Sequence, residues 1–339
     1  MQEDCINYAK NALVNVLEVI DGEKIVIFCD KSREKIGWYF ACAGIDIGCW
    51  VRLVMLSDGE IRSSVPSNVK EIINSSSVDL YINVLRGIAE ETPFRIMLTK
   101  METRRRVRLA HCPGITEDMF TMGAMSLSDE EYKRMQFFAQ HLISRLNGAV
   151  EVEVVSPSGT NIRFSVKKRD FFTDTKINWK TLKWLNLPVG EVIVAPVETS
   201  MNGVLVCTTA VGGIGRVKRV RLVVKNGKVV EIDGDEKEKI ERIRKALNID
   251  EMASYAGEFA FGINPKARVV DEFLETEKVY GTCHIAFGNN LDFPGGRNWS
   301  KNHMDFLIDK PTVRVRMGNG DVYEVMVDGR YADIDWKNG

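Results

Sequence analysis

Apolar positions along the first part of the chain recur in two alternating rhythms. Residues 25–29 (IVIFC) form a short β-branched run of the kind that makes a buried strand. The polar residues Asp30, Lys31 and Ser32 then lead into a helical pattern over 33–42, with Gly44 placed as its stop. Residues 51–55 and 78–84 read as further strands, and 93–102 and 129–146 as further helices. In the last of these, Phe137, Phe138, His141 and Leu142 fall on or near one face, and Ser128 with Glu131 offers a capping box. Strands alternating with helices predict an α/β domain with a largely parallel sheet.

After Gly148 the rhythm changes. Residues 150–155 and 161–166 flank the turn residues Ser156, Pro157, Ser158 and Gly159, and 217–224 and 229–232 flank Asn226-Gly227. A third pair, 313–317 and 322–327, flanks Gly318-Asn319-Gly320, and 235–247 reads as a charged amphipathic helix. The expectation is an α/β domain over 1–148 followed, without a long linker, by an α+β domain over 149–339 rich in antiparallel strands.

Charge excludes some partners and leaves others. The 46 Lys and Arg against 47 Asp and Glu leave a net charge of −1, which argues against nucleic acid or an anionic membrane as partner. The basic run Arg104, Arg105, Arg106 and Arg108 reads as a solvated helix end or loop. The acidic start MQEDC has no apolar leader pattern, and no apolar stretch has the length of a membrane-spanning helix. The 7 cysteines are scattered and mostly in apolar segments, so they read as buried thiols of a cytoplasmic protein rather than as zinc ligands.

Candidate chemistry gathers in the second half. His303 and Asp305 stand two residues apart, so on an extended segment both face the same way. His284 lies in the strand-like GTCHIAFG at 281–288, and two histidines with a carboxylate suit zinc, cobalt, manganese or ferrous iron. A satisfied His–Asp pair is the competing reading. Glu191 and Glu258 change the balance, because each interrupts an apolar strand where an unpaired carboxylate is costly. Five such groups make an inventory suited to two adjacent metal ions sharing a carboxylate; the competing reading pairs each glutamate with Arg or Lys. His111 and His141 read as structural, and the glycine-rich 211–216 lacks the spacing and the following helix of a phosphate loop.

Four ordered blocks, LPVGEVIVAP at 187–196, GEFAFGINP at 257–265, EKVYGTCHIAFG at 277–288 and GGRNWSKNHMD at 295–305, resemble the aminopeptidase T/S family of metallo-aminopeptidases. Ser158-Gly159-Thr160-Asn161 resembles an earlier turn of that family, and the first half matches only in its α/β character. The resemblance implies a two-metal site (zinc, cobalt or manganese) held by Glu191, Glu258, His284, His303 and Asp305, with Glu258 as the bridge and a candidate for moving the catalytic proton. It also implies a homodimer that removes N-terminal residues from small peptides. One position departs: where the family has a tyrosine seven residues after the strand histidine, this chain has Leu291, which has no hydrogen bond to donate to an oxyanion. Tyr280 is a candidate replacement.

The chain is also similar to ferrous-iron dioxygenases that open 2,5-dihydroxypyridine, for which His284, His303 and Asp305 would hold a single Fe(II). A family member without catalysis is the third reading.

Overall fold

A computed structural model describes residues 2–75, 77–104, 107–178 and 184–332. The chain forms two compact units, one made of Met1–Lys133 with Asp174–Val189, the other of Arg134–Thr173 with Gly190–Gly339. The sequence pattern suggested a single cut near Gly148. Here the chain re-enters the first unit after Thr173, because the short strand Trp184–Asn186 pairs with that unit's sheet.

The first unit is built on five parallel strands in the order Trp50–Leu56, Lys24–Asp30, Leu80–Leu85, Arg108–Pro113, Trp184–Asn186. The helices Glu34–Ile47, Ser67–Ser75 and Thr92–Glu102 connect the first four strands in turn, as parallel pairing requires. On one sheet face Val26, Phe28, Tyr81 and Leu109 pack with Ile72 and Ile73 of the second helix and Phe94 and Leu98 of the third. The helix expected to stop at Gly44 runs on to Ile47. Gly44 is instead a point of close approach, where a Cβ would meet Val51 Cγ2 at 2.8 Å, and the stop is Gly48, whose φ of 99° supplies the left-handed cap.

The basic run also departs from expectation. Arg108 is buried, and its guanidinium donates to the carbonyls of Leu17 and Glu18 and pairs with Glu23, so it is not part of a solvated patch. Arg105 and Arg106 lie outside the described residues.

The second unit is antiparallel throughout its two sheets. The larger carries the three predicted hairpins: Ala149–Val155 with Asn161–Ser165, Val220–Lys225 with Lys228–Gly234, and Thr312–Met317 with Val322–Val327. The smaller has the order Gly215–Arg216, Ala210–Val211, His303–Ile308, Cys283–Gly288, Ala256–Gly262, Glu191–Val194, Phe172–Thr173. Phe164 of the larger sheet meets Phe259 of the smaller at 5.2 Å between ring centroids, so aromatic side chains fill the layer between them.

The helix Asp129–Leu146 starts with the predicted capping box: Ser128 N donates to Glu131 Oε2 at 2.8 Å and Glu131 N to Ser128 Oγ at 3.2 Å. Its buried side carries Met135, Phe138, Ala139, Leu142 and Leu146, whereas Phe137 and His141 are exposed. Among the described residues no helix is long and apolar enough to cross a membrane.

One buried polar pair in the first unit generates a pH prediction. Glu102 is fully enclosed and takes a hydrogen bond from Asn83 Nδ2 at 2.8 Å. Burial pushes its carboxyl up to about 8, against the pull of Asn83. The unfolded chain ionises this group near 4.5, so between 4.5 and about 8 the folded state holds the extra proton. Its contribution to stability is therefore full below the lower value and lost as pH rises through the upper one, with a slope of up to about 1.4 kcal/mol per pH unit. Urea unfolding at pH 5 and pH 8 should show this loss, and Glu102→Gln should flatten it; an equally steep fall in the variant would assign the loss to other groups.

Candidate metal centre

Four neighbouring strands of the smaller sheet carry the candidate residues, and the period-two rule explains why they share a face. In His303–Ile308 the residues His303, Asp305 and Leu307 point one way, while Met304, Phe306 and Ile308 point into the core. The register sets Asp305 opposite Ala286 and His303 opposite Gly288, which brings His284 to the same face two residues along. Glu258 lies opposite Ala286, and Glu191 opposite Gly262. Between the functional side chains on this face stand Ala260, Gly262, Ala286 and Gly288, small enough to leave them room. The other face is apolar, with Phe259 against Phe261 at 4.8 Å and Phe287 against Phe306 at 5.9 Å.

All five predicted residues thus converge. His284 Nε2 lies 3.3 Å from Glu191 Oε1, 3.5 Å from Glu258 Oε1 and 3.9 Å from Asp305 Oδ1. His303 Nε2 lies 2.9 Å from Glu258 Oε2 and 3.4 Å from Asp305 Oδ1. Glu258 therefore turns one oxygen to each imidazole, and Asp305 stands within reach of both. His284 is fully buried, whereas the His303 side chain is 34% exposed and forms the open side of the cluster.

Charge follows from this crowding. Burial works against ionised Glu258, yet hydrogen bonds from His284 and His303 hold its carboxyl well below the usual carboxylate range. Burial also opposes charge on the imidazoles. Even so, Glu191 and Glu258 push His284 up to about 9, and Asp305 with Glu258 pushes His303 well above its ordinary value. The crowded carboxylates thus favour positive charge at this place. The donors Glu258, His284 and Asp305 lie within 4.8 Å of one another, as do Glu191, Glu277 and His284. Carboxylate oxygen and imidazole nitrogen at that spacing fit a divalent cation.

The surroundings orient the donors. His303 Nδ1 lies 2.8 Å from the carbonyl of Asn289 and donates to it, leaving Nε2 as the nitrogen that faces the carboxylates. The loop before His303 is tied down by asparagines: Asn290 donates to Gly257 O, Asn298 to Gly288 O and Asn302 to Phe287 O. Phe293 in that loop sets its ring edge-on to His303 at 6.0 Å.

Three neighbours escaped the sequence reading. Glu277 and Lys278 were part of a matching block but carried no role, because adjacent opposite charges look like a solvated pair; both are buried here, and Lys278 pairs with Glu191 and Glu277. Glu191 thus has the lysine partner that the competing reading required, and still presents Oε1 to His284. Gly212, from the segment dismissed as a phosphate loop, is in the turn between Ala210–Val211 and Gly215–Arg216, and its N–H donates to Asp305 O at 2.9 Å.

Of the other candidates, His111 is buried in the parallel sheet, where burial, with Arg95 adding to it, pushes its imidazole down to about 3, and His141 is exposed. Leu291 is 48% exposed, and Tyr280 packs its ring against Phe138 and Tyr331.

A parallel α/β unit joined to an antiparallel unit with carboxylates and imidazoles on one sheet face has the makings of a metal-dependent enzyme. Residues 117–331, well over half of the chain, match the model of the thermophilic metalloprotease family M29. The chain belongs to that family and is a metalloprotease by membership, in line with the resemblance drawn from the four blocks. Two solved structures share its fold. AmpT from Thermus thermophilus is 15% identical, with a TM-score of 0.73 over 97% of this chain and 99% of its own. A 2,5-dihydroxypyridine dioxygenase from Pseudomonas putida KT2440 is 15% identical, with a TM-score of 0.71 over 100% of this chain and 99% of its own. No curated protein matches the chain in sequence.

Gly212 supplies a test of how tightly the centre is built. A Cβ there would meet Asp305 N and Oδ2 at 3.2 Å each. Gly212→Ala should displace the Asp305 carboxylate and lower zinc affinity roughly tenfold, while costing no more than about 1–3 kcal/mol of stability. Calorimetric zinc titration alongside urea unfolding checks this; unchanged affinity would show that Asp305 is free to shift.

Proposed function

We propose that this protein is a metallo-aminopeptidase that removes N-terminal residues from small peptides. In this reading Glu191, Glu258, His284, His303 and Asp305 hold two divalent ions, zinc, cobalt or manganese, with Glu258 spanning the two positions. The observation that carries it is the Glu258 carboxylate, whose Oε1 faces His284 and whose Oε2 faces His303. Family membership supports the hydrolytic chemistry.

A bound ion pair supplies a water that ionises near neutral pH and an electrophile for the scissile carbonyl. The chain's own groups do the rest. His303 sits at the open side, where a peptide end can enter. The carboxylate-rich face attracts a protonated α-amine, which favours cleavage at the first residue over an internal one. A glutamate not fully consumed as a ligand, with Glu258 the candidate, would take the proton of the attacking water and pass it to the leaving amine. A cytoplasmic homodimer belongs to the same reading; the seven unpaired thiols, six of them buried, support a reducing compartment.

A second reading has its own support. His284, His303 and Asp305 form a two-histidine, one-carboxylate set with one open side, the chain shares its fold with a dioxygenase, and Leu291 lacks the hydroxyl of the family tyrosine. Such a set suits one Fe(II) that binds oxygen and a dihydroxypyridine together.

Elemental analysis paired with a leucyl-peptide assay separates the two. The purified protein should carry two zinc, cobalt or manganese ions per chain and hydrolyse the peptide. Glu191→Ala should lose one ion and abolish turnover, and Glu258→Gln should lower kcat by about 10²–10⁴-fold. One oxygen-sensitive iron per chain without hydrolysis would establish the dioxygenase reading instead.

A further inference from the structure

Glu277 and Lys278 follow the single helical turn Phe273–Thr276 and precede the strand Cys283–Gly288. Lys278 is only 2% exposed, and a lysine so enclosed is expensive unless its charge is met. Here its ammonium pairs with Glu191 Oε2 and, at 2.9 Å, with Glu277 Oε1. Glu191 keeps its other oxygen, Oε1, 3.3 Å from His284 Nε2. Glu191, Glu277 and His284 also form a donor set close enough to hold a cation, with His284 shared with the set of Glu258, His284 and Asp305. Two of its three members are already joined by the ammonium.

We propose that Lys278 is a built-in cation of the centre. It holds Glu191 with Oε1 turned toward His284, and it keeps a divalent ion out of the place between Glu191 Oε2 and Glu277 that its own ammonium fills. The number of ions bound is thereby set by a residue that is not a ligand. Lys278 is a positioning residue, and its role rests on the metal-binding reading of the centre. A divalent ion there would share its carboxylates with a fixed positive charge that cannot diffuse away. Removing the charge leaves two buried carboxylates uncompensated beside an imidazole, a set that recruits a cation.

The test uses the full chain, stripped with chelator and titrated with zinc, with bound zinc counted by elemental analysis. Lys278→Met, similar in length and uncharged, is expected to bind one zinc per chain more than the wild type. Lys278→Arg keeps the charge and should keep the wild-type count. Lys278→Met/Glu277→Gln removes the pair together and should return to the wild-type count. In thermal unfolding, zinc should raise the Tm of Lys278→Met by more than it raises that of the wild type. The same count and affinity in Lys278→Met as in the wild type would overturn the proposal, as would an additional ion that persists in the double variant. If Lys278→Met does not fold when stripped, refolding with zinc is the readout: recovery with the additional ion supports the proposal, and no recovery at any zinc concentration overturns it. A wild type that binds no zinc would instead sink the metal reading itself, so the two failures are distinct.

Discussion

Like charges held close together in a dry interior cannot stand uncompensated, and the second unit is organised around that constraint. Glu191, Glu258, Glu277 and Asp305 are all buried, and the four strands that present Glu191, Glu258, Asp305 and the two imidazoles are neighbours in one sheet. The same crowding pushes the imidazoles of His284 and His303 toward their charged forms and seats the ammonium of Lys278 against Glu191. Each of these substitutes for positive charge that the carboxylates require. The other face of the same sheet is apolar, with Phe259 packed against Phe261 and Phe287 against Phe306, and its burial works against the cost of the polar face.

Much of this was legible in the sequence for a simple reason. A lone carboxylate or imidazole inside an apolar run is an energetic anomaly, and Glu191, Glu258 and His284 each stand in one. The two-residue spacing of His303 and Asp305 needed only an extended backbone to place both on one face. The three hairpins were legible from their turns, and the capping box from Ser128 and Glu131. What escaped depends on contacts distant in the chain. Trp184–Asn186 joins the parallel sheet although it lies far along the chain from the other four strands, and its three residues have no periodicity to read. Lys278 becomes part of the centre only through Glu191, 87 positions away. Gly212 matters because Asp305 comes beside it, which no local pattern announces. Gly44 misled as a helix stop because its small size serves packing against Val51 rather than chain reversal.

The fold is shared with a dioxygenase and with AmpT, and architecture alone does not select a chemistry. The selection lies in the site. Three donors around one position suit an iron that must leave room for oxygen and an organic ring. A carboxylate addressing two imidazoles suits a pair of ions that share a water. In this chain Glu258 turns one oxygen to each imidazole and Glu191 presents Oε1 to His284, which supports the proposed pair of ions. Family membership agrees with that geometry on hydrolysis.

The most direct measurement is anomalous X-ray scattering from crystals of the zinc-loaded protein. The account predicts two peaks roughly 3.5–4 Å apart, one on each side of the Glu258 carboxylate, nearest His284 and His303 respectively. A single peak, or any pair of peaks that leaves Glu258 uncoordinated, would contradict it.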